Sequence, residues 1–208
     1  MFFAGHSVKE VIHRNRSWLF MAAALFIASG VFFYYRFPGT GGLADLLAGE
    51  AGLQMDQLQK LVNFIVNLPA PAAVAFIFIN NFLSTVQMLL LGAGLGIMPL
   101  ITLALNGALV GATAAAAVSE GTNLFKLICF GILPHGIFEL GAFFLAGALG
   151  LKFGYHCVAS PLPGLNRFQS FKYIWKEAIS ILPLVVSLLA LAALVEMTIT
   201  PLLITRFL

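Results

Sequence analysis

Residues 17–35 read SWLFMAAALFIASGVFFYY, with Lys9, His13, Arg14 and Arg16 just ahead of them and Arg36 just behind. A hydrocarbon layer about 30 Å thick takes roughly 20 apolar residues in helical form to cross. This stretch has that length and no charge. A secretory signal has a similar basic front, but its apolar core is shorter and small residues mark its cleavage site. Here the run closes on Phe32, Phe33, Tyr34 and Tyr35, so an uncleaved first span is expected.

The rest of the chain repeats the pattern. Of its 208 residues, 61% are hydrophobic and only 9% charged, where a soluble domain carries about 25% charge. Runs of spanning length recur at about 72–91, 97–118, 124–150 and 177–200. The expected fold is therefore all-α: one polytopic transmembrane helix bundle of about five spans, a single domain over 1–208. Its first partner is the lipid bilayer. The net charge of +3 is small and its basic residues sit mainly in two segments, which suits an anionic lipid surface and excludes a nucleic-acid stripe. Cys129 and Cys157 are too few and too far apart for a disulfide scaffold or a zinc knuckle.

The breaks between spans carry their own signals. PGTGG opens the segment 37–71, after which Leu58, Leu61, Val62 and Ile65 recur at helical spacing, with Asp56, Gln59, Lys60 and Asn63 between them. That predicts an amphipathic helix lying in the membrane interface or capping the bundle; a soluble connector helix fits the same pattern. LGAGLGIMP reverses the chain before the third span and SEGTN ends that span. Pro134-His135-Gly136 is expected to interrupt the fourth, since proline lacks a helical N–H and glycine loosens the turn after it. The stretch 151–176, with SPLPG, reads as a polar loop, and Pro201 as the end of the fifth span.

Orientation is read from Lys and Arg. Lys9, Arg14 and Arg16 fall on the same side as Lys152, Arg167, Lys172 and Lys176 when there are five spans. Arg36, Lys60, Lys126 and Arg206 fall opposite, diluted by Asp45, Glu50, Asp56 and Glu120. Basic loops stay in the cytoplasm. The expectation is an inner-membrane protein with a cytoplasmic N-terminus, a cytoplasmic 151–176 loop, an extracytoplasmic 37–71 segment and an extracytoplasmic C-terminus.

Lipid gives helices no hydrophobic reason to associate, so close approach through small residues takes its place. Gly107 and Gly111 are four apart in the third span, followed by Ala112 and the alanines from Ala114 to Ala117. Gly141, Gly147 and Gly150 continue the pattern in the fourth. These residues predict a tight pair of spans three and four, and the bundle is a candidate for homodimer or other homo-oligomer formation.

Five residues stand where lipid should exclude them: Asn80 and Asn81 in span two, Asn106 in span three, His135 and Glu139 in span four. All lie near mid-depth, where polar groups face the bundle interior and pair with one another. His135 and Glu139 share a helix face, as do Asn80, Ser84 and Gln87. Glu196, near the outer end of span five, either snorkels to water or closes the cluster.

Three readings of the cluster compete. It fixes helix register through hydrogen bonds of about 0.6 kcal/mol each. It marks a path for an ion, proton or solute, with a partner ATPase as one arrangement. Or His135 and Glu139 are two ligands of a divalent metal completed from another helix or another copy, as in an intramembrane metal-dependent enzyme, which would also need an open coordination position and a base; imidazole and carboxylate are metal ligands, but two are not a site. His156 lies outside the span. No Walker loop, HExxH, GxSxG or CxxC motif is present, so the reading leans away from an enzyme and assigns no catalytic residue.

FINNFLSTVQMLLLGAGLGIMPLITLALNGALVGA (78–112), LPHGIFELGAFFLAGALGLKFGY (133–155) and LVEMTITP (194–201) together resemble the stage II sporulation protein M family of bacterial and archaeal membrane proteins. The resemblance covers spans two to five and implies a membrane protein of five or six helices. In spore formers it implies a scaffold for a membrane-anchored complex of peptidoglycan-degrading partners, an envelope hydrolase complex. Its motif falls on Asn81, Asn106, Gly107, Pro134, His135, Gly136, Glu139 and Glu196 of this chain.

Overall fold

The computed structural model describes residues 7–36, 60, 63–65, 67–92 and 96–208. Most of the segment expected to form an amphipathic helix, 37–71, lies outside the described residues. The described chain is all helix: α1 (Val8–Arg14), α2 (Arg16–Arg36), α3 (Ala70–Gly92), α4 (Ile97–Ser119), a single turn α5 (Leu124–Lys126), a π-helical turn (Leu127–Ile132), α6 (Leu133–Val158) and α7 (Arg167–Phe207). Five stretches are long and apolar enough to cross a membrane: α2, α3, α4, the continuous run Leu124–Val158, and α7.

Four expectations need correction. Pro134-His135-Gly136 does not interrupt the fourth span, which is helical from Leu124 to Val158; Pro134 lies in the first turn of α6, directly after a π-helical turn in which the Leu133 N–H donates five residues back to the Ile128 carbonyl, and that wider turn carries the helix past the N–H that proline lacks. The irregularity is moved one turn upstream, into the π-helical turn Leu127–Ile132. The polar stretch 151–176 is not mainly a loop. α6 runs on to Val158 and α7 begins at Arg167, leaving 159–166 as the connection. Its end is set by a capping box in which Asn166 Oδ1 accepts from the Gln169 N–H and Gln169 Oε1 from the Asn166 N–H. Loss of hydropathy there marked the helices leaving the apolar layer, not the helices ending. Likewise Pro201 lies inside α7, which continues to Phe207; membrane helices tolerate proline where neighbours re-satisfy the backbone.

The fourth correction concerns who pairs with whom. Gly107 and Gly111 face α2, not the fourth span: a methyl group at Gly107 would overlap the carbonyl of Phe26, and one at Gly111 the carbonyl of Gly30. Gly30 returns the contact, since a Cβ there would stand 3.1 Å from the Gly107 carbonyl oxygen. α2 and α4 thus run parallel with their backbones touching, and Ser29 Oγ donates to the Ala104 carbonyl at 2.7 Å. The fourth-span glycine Gly150 instead admits α3 and the start of α4, with the Met88 carbonyl 2.8 Å and Pro99 Cγ 2.7 Å from where its Cβ would be. α6 and α7 pack antiparallel. Met88, Leu103, Leu149, Ile181 and Val185 fill the layer between these helices and are fully buried.

The Ser29 bond is a small term beside the glycine contacts. Ser29→Ala should lower stability in detergent by about 0.6 kcal/mol. A loss several times larger, in denaturant titration of the purified protein, would mean that the hydroxyl and not the backbone approach sets the α2–α4 pairing.

Candidate functional site

The polar residues of three spans meet in one cavity. It has a volume of about 160 Å³ and is lined by Asn80, Asn81, Ser84 and Thr85 of α3, Asn106 and Val110 of α4, His135, Gly136 and Glu139 of α6, and Phe26, Phe143 and Leu189 from around them. The i, i+4 spacing of His135 and Glu139 sets both on the cavity face of α6. Asn80 is exposed at the rim, while Gln87, expected on the same face, is exposed and does not line the cavity. Asn106 is partly satisfied within its own helix, its Nδ2 donating to the Thr102 carbonyl at 2.8 Å. Among the described residues, no hydrogen bond engages its carbonyl oxygen or the carboxamides of Asn80 and Asn81.

Glu196 joins the cluster from α7. Ligand-capable atoms of His135, Glu139 and Glu196 all lie within 4.8 Å of one another. Buried Thr200, one turn further along α7, stands 3.2 Å through Oγ1 from His135 Nδ1. Thus α6 and α7 each contribute a pair of residues four apart. No hydrogen bond or ion pair among the described residues engages either carboxylate.

A second polar centre lies at the end of the bundle that carries α1. Glu177 of α7 is wholly buried, with Arg14 Nε 2.6 Å from Oε1 and Lys152 Nζ 2.6 Å from Oε2. Lys152 also donates to Asn15 Oδ1 at 2.9 Å, and Asn15 Nδ2 to the Val11 carbonyl at 2.8 Å. The ring of Tyr173 lies 5.3 Å from the Arg14 guanidinium and 5.8 Å from the Lys152 ammonium, within reach of cation–π attraction. One carboxylate thereby ties α1, α6 and α7 together. In the sequence, Arg14 and Lys152 served only as topology markers and Glu177 drew no attention. A signal was present all the same: opposite charges at the facing ends of two consecutive spans fall at equal depth.

Five apolar spans around a polar intramembrane cavity, with an ionic clasp at one end, define a polytopic membrane protein whose polar groups are built into its interior. The chain belongs to the Stage II sporulation protein M family, which it matches over residues 19–201. It is 30% identical over 124 residues to an uncharacterized protein of Methanocaldococcus jannaschii, a match covering 59% of this chain and 68% of that relative. No solved structure matches it.

Proposed function

We propose that this protein is a non-enzymatic membrane scaffold or regulator of an envelope-remodelling assembly, set in the cell membrane with its N-terminus in the cytoplasm and its C-terminus outside. The observation that carries the reading is how firmly the bundle is locked. Backbone contacts at Gly107, Gly111 and Gly150 join α2 to α4 and α3 to α6, and Glu177 joins α1, α6 and α7. A body held at both mid-depth and one end presents fixed lipid-facing surfaces to partner helices, which is what a scaffold requires. Lys9, Arg16, Arg167 and Lys172 gather at the clasped end, and the positive-inside rule makes that end cytoplasmic.

The cavity favours a second reading, passage of an ion or small solute, because intramembrane carboxylates mark such paths. Against it, Met88, Leu103, Leu149 and Ile181 fill the layer between cavity and clasp, so passage would require that layer to open. Isolation of the native protein in mild detergent, with partners identified by mass spectrometry, tests the choice. Co-purification of an envelope hydrolase or its activator supports the scaffold. A partner-free protein that carries protons or ions across sealed proteoliposomes defeats it in favour of transport.

A further inference from the structure

We propose that His135, Glu139 and Glu196 form a binding site for one divalent transition-metal ion of the zinc class, inside the membrane and open to the cavity. The inference stands apart from the scaffold reading, because a metal can brace a scaffold or serve a pathway equally.

A zinc ion holds nitrogen and oxygen ligands at about 2.0–2.2 Å, which sets tetrahedral ligand atoms roughly 3.4 Å apart. The three candidate atoms are within 4.8 Å of one another with no ion present. Drawing them in requires about 1.4 Å or less of side-chain movement at each pair, within the reach of rotation about glutamate side-chain bonds. The ligands come from two helices whose relative position is already fixed by packing along α6 and α7.

Two carboxylates a few ångströms apart in an apolar layer repel one another and lack water to screen them. The ammonium of Lys152 is committed to Glu177. Thirteen helical residues separate Lys152 from Glu139 along α6, about 20 Å at 1.5 Å per residue. A divalent cation cancels both carboxylate charges where they stand.

Ligand chemistry selects among cations. Imidazole with carboxylates suits zinc and its neighbours, while magnesium and calcium prefer all-oxygen sets. Metal-bound histidines ordinarily donate their other ring N–H to an oxygen, which fixes the tautomer. The buried Thr200 hydroxyl, 3.2 Å from His135 Nδ1, is placed to accept that N–H, and with Nδ1 so engaged the ligating nitrogen is Nε2 by elimination. Three protein ligands leave a coordination position open, and it faces a cavity bounded by the carboxamides of Asn80, Asn81 and Asn106. Neutral carboxamides accept and donate hydrogen bonds without adding charge, so the fourth ligand is a water or another small neutral or anionic oxygen donor.

The test uses the full chain without a histidine tag, stripped with chelator in mild detergent, loaded with Zn2+ and desalted. Elemental analysis should find about one zinc per chain, and Glu139→Gln/Glu196→Gln should lose it while eluting as the wild type does. Thr200→Ala should weaken zinc binding by about tenfold or more. Loading with Co2+ should give visible ligand-field bands, and His135→Cys should keep the metal and add a thiolate charge-transfer band, a change that an altered fold alone does not produce. Wild-type protein holding no more zinc than the double glutamine variant overturns the proposal and leaves a proton shared between the two carboxylates as the neutralising species. Cobalt spectra indifferent to His135→Cys overturn it as well.

Discussion

Replacing Glu177 by glutamine is expected to destabilise the protein by about 3–5 kcal/mol, because it leaves buried charge without its partner. Lys152 is 4% exposed and has no route to water short of moving α6 or α7, whereas the Arg14 side chain is 36% exposed and can turn outward. The penalty therefore falls chiefly on Lys152. A denaturation series in detergent should show this in two ways. Lys152→Met alone should be costly in its turn, since Glu177 then keeps only the half-exposed Arg14. Glu177→Gln/Lys152→Met should recover most of the loss, because removing both members of a buried pair is far less damaging than removing one. A double variant as unstable as the sum of its parts would show that the clasp is not a coupled pair. Loss of the clasp should also free α1, read as faster proteolysis near Asn15, which the clasp holds through Lys152.

Gly111→Val carries the second large effect. Even a methyl group at this position would occupy the space of the Gly30 carbonyl, and a backbone cannot step aside as a side-chain tip can. α2 must move off α4, breaking the neighbouring Gly107–Phe26 contact and the Ser29–Ala104 hydrogen bond along with it. Overpacking commonly costs about 1–3 kcal/mol; with backbone on both sides and three contacts moving together, the upper end or beyond is expected, about 3 kcal/mol. Gly141→Ala is the control. Its nearest foreign atom would be Leu188 Cδ1 at 3.7 Å, an ordinary contact, so thermal unfolding of that variant should match the wild type. If Gly111→Val were as stable as Gly141→Ala, the close approach of α2 and α4 would be wrong.

These two sites differ in how readable they were. The glycine pair announced close packing but not its partner. In water, a helix seeks the strongest apolar face; in lipid every span is apolar, so composition carries no contrast and pairing is decided by shape. Gly107 and Gly111 fit the groove at Phe26 and Gly30 of α2, a span with its own glycine that drew no attention as a packing face. The clasp was harder to see because Arg14 and Glu177 are 163 residues apart, one in the basic segment ahead of the first span and the other at the edge of a stretch that read as loop. Once α6 and α7 are known to continue past the apolar layer, Lys152 is a helix residue facing Glu177 rather than a loop charge.

The mid-depth residues were legible for a different reason. Lipid rejects polar groups so strongly that Asn80, Asn81, Asn106, His135 and Glu139 stand out one by one in the chain, and helical rise alone puts them at similar depth. Convergence on one cavity needed the three helices to turn their polar faces together. Glu196 was placed between water and the cluster by its position near a span end; only the antiparallel packing of α6 on α7 brings it within 4.8 Å of both His135 and Glu139.

By itself, then, the sequence determined that this is a membrane-spanning helical protein with about five spans and a set of polar residues at mid-depth, because span length and lipid solubility are properties of each segment alone. The tertiary structure decided the α2–α4 pairing, the clasp on Glu177 and the meeting of Glu196 with His135 and Glu139. Each of these depends on the shape and rotation of one helix against another, and that information is not local to any segment.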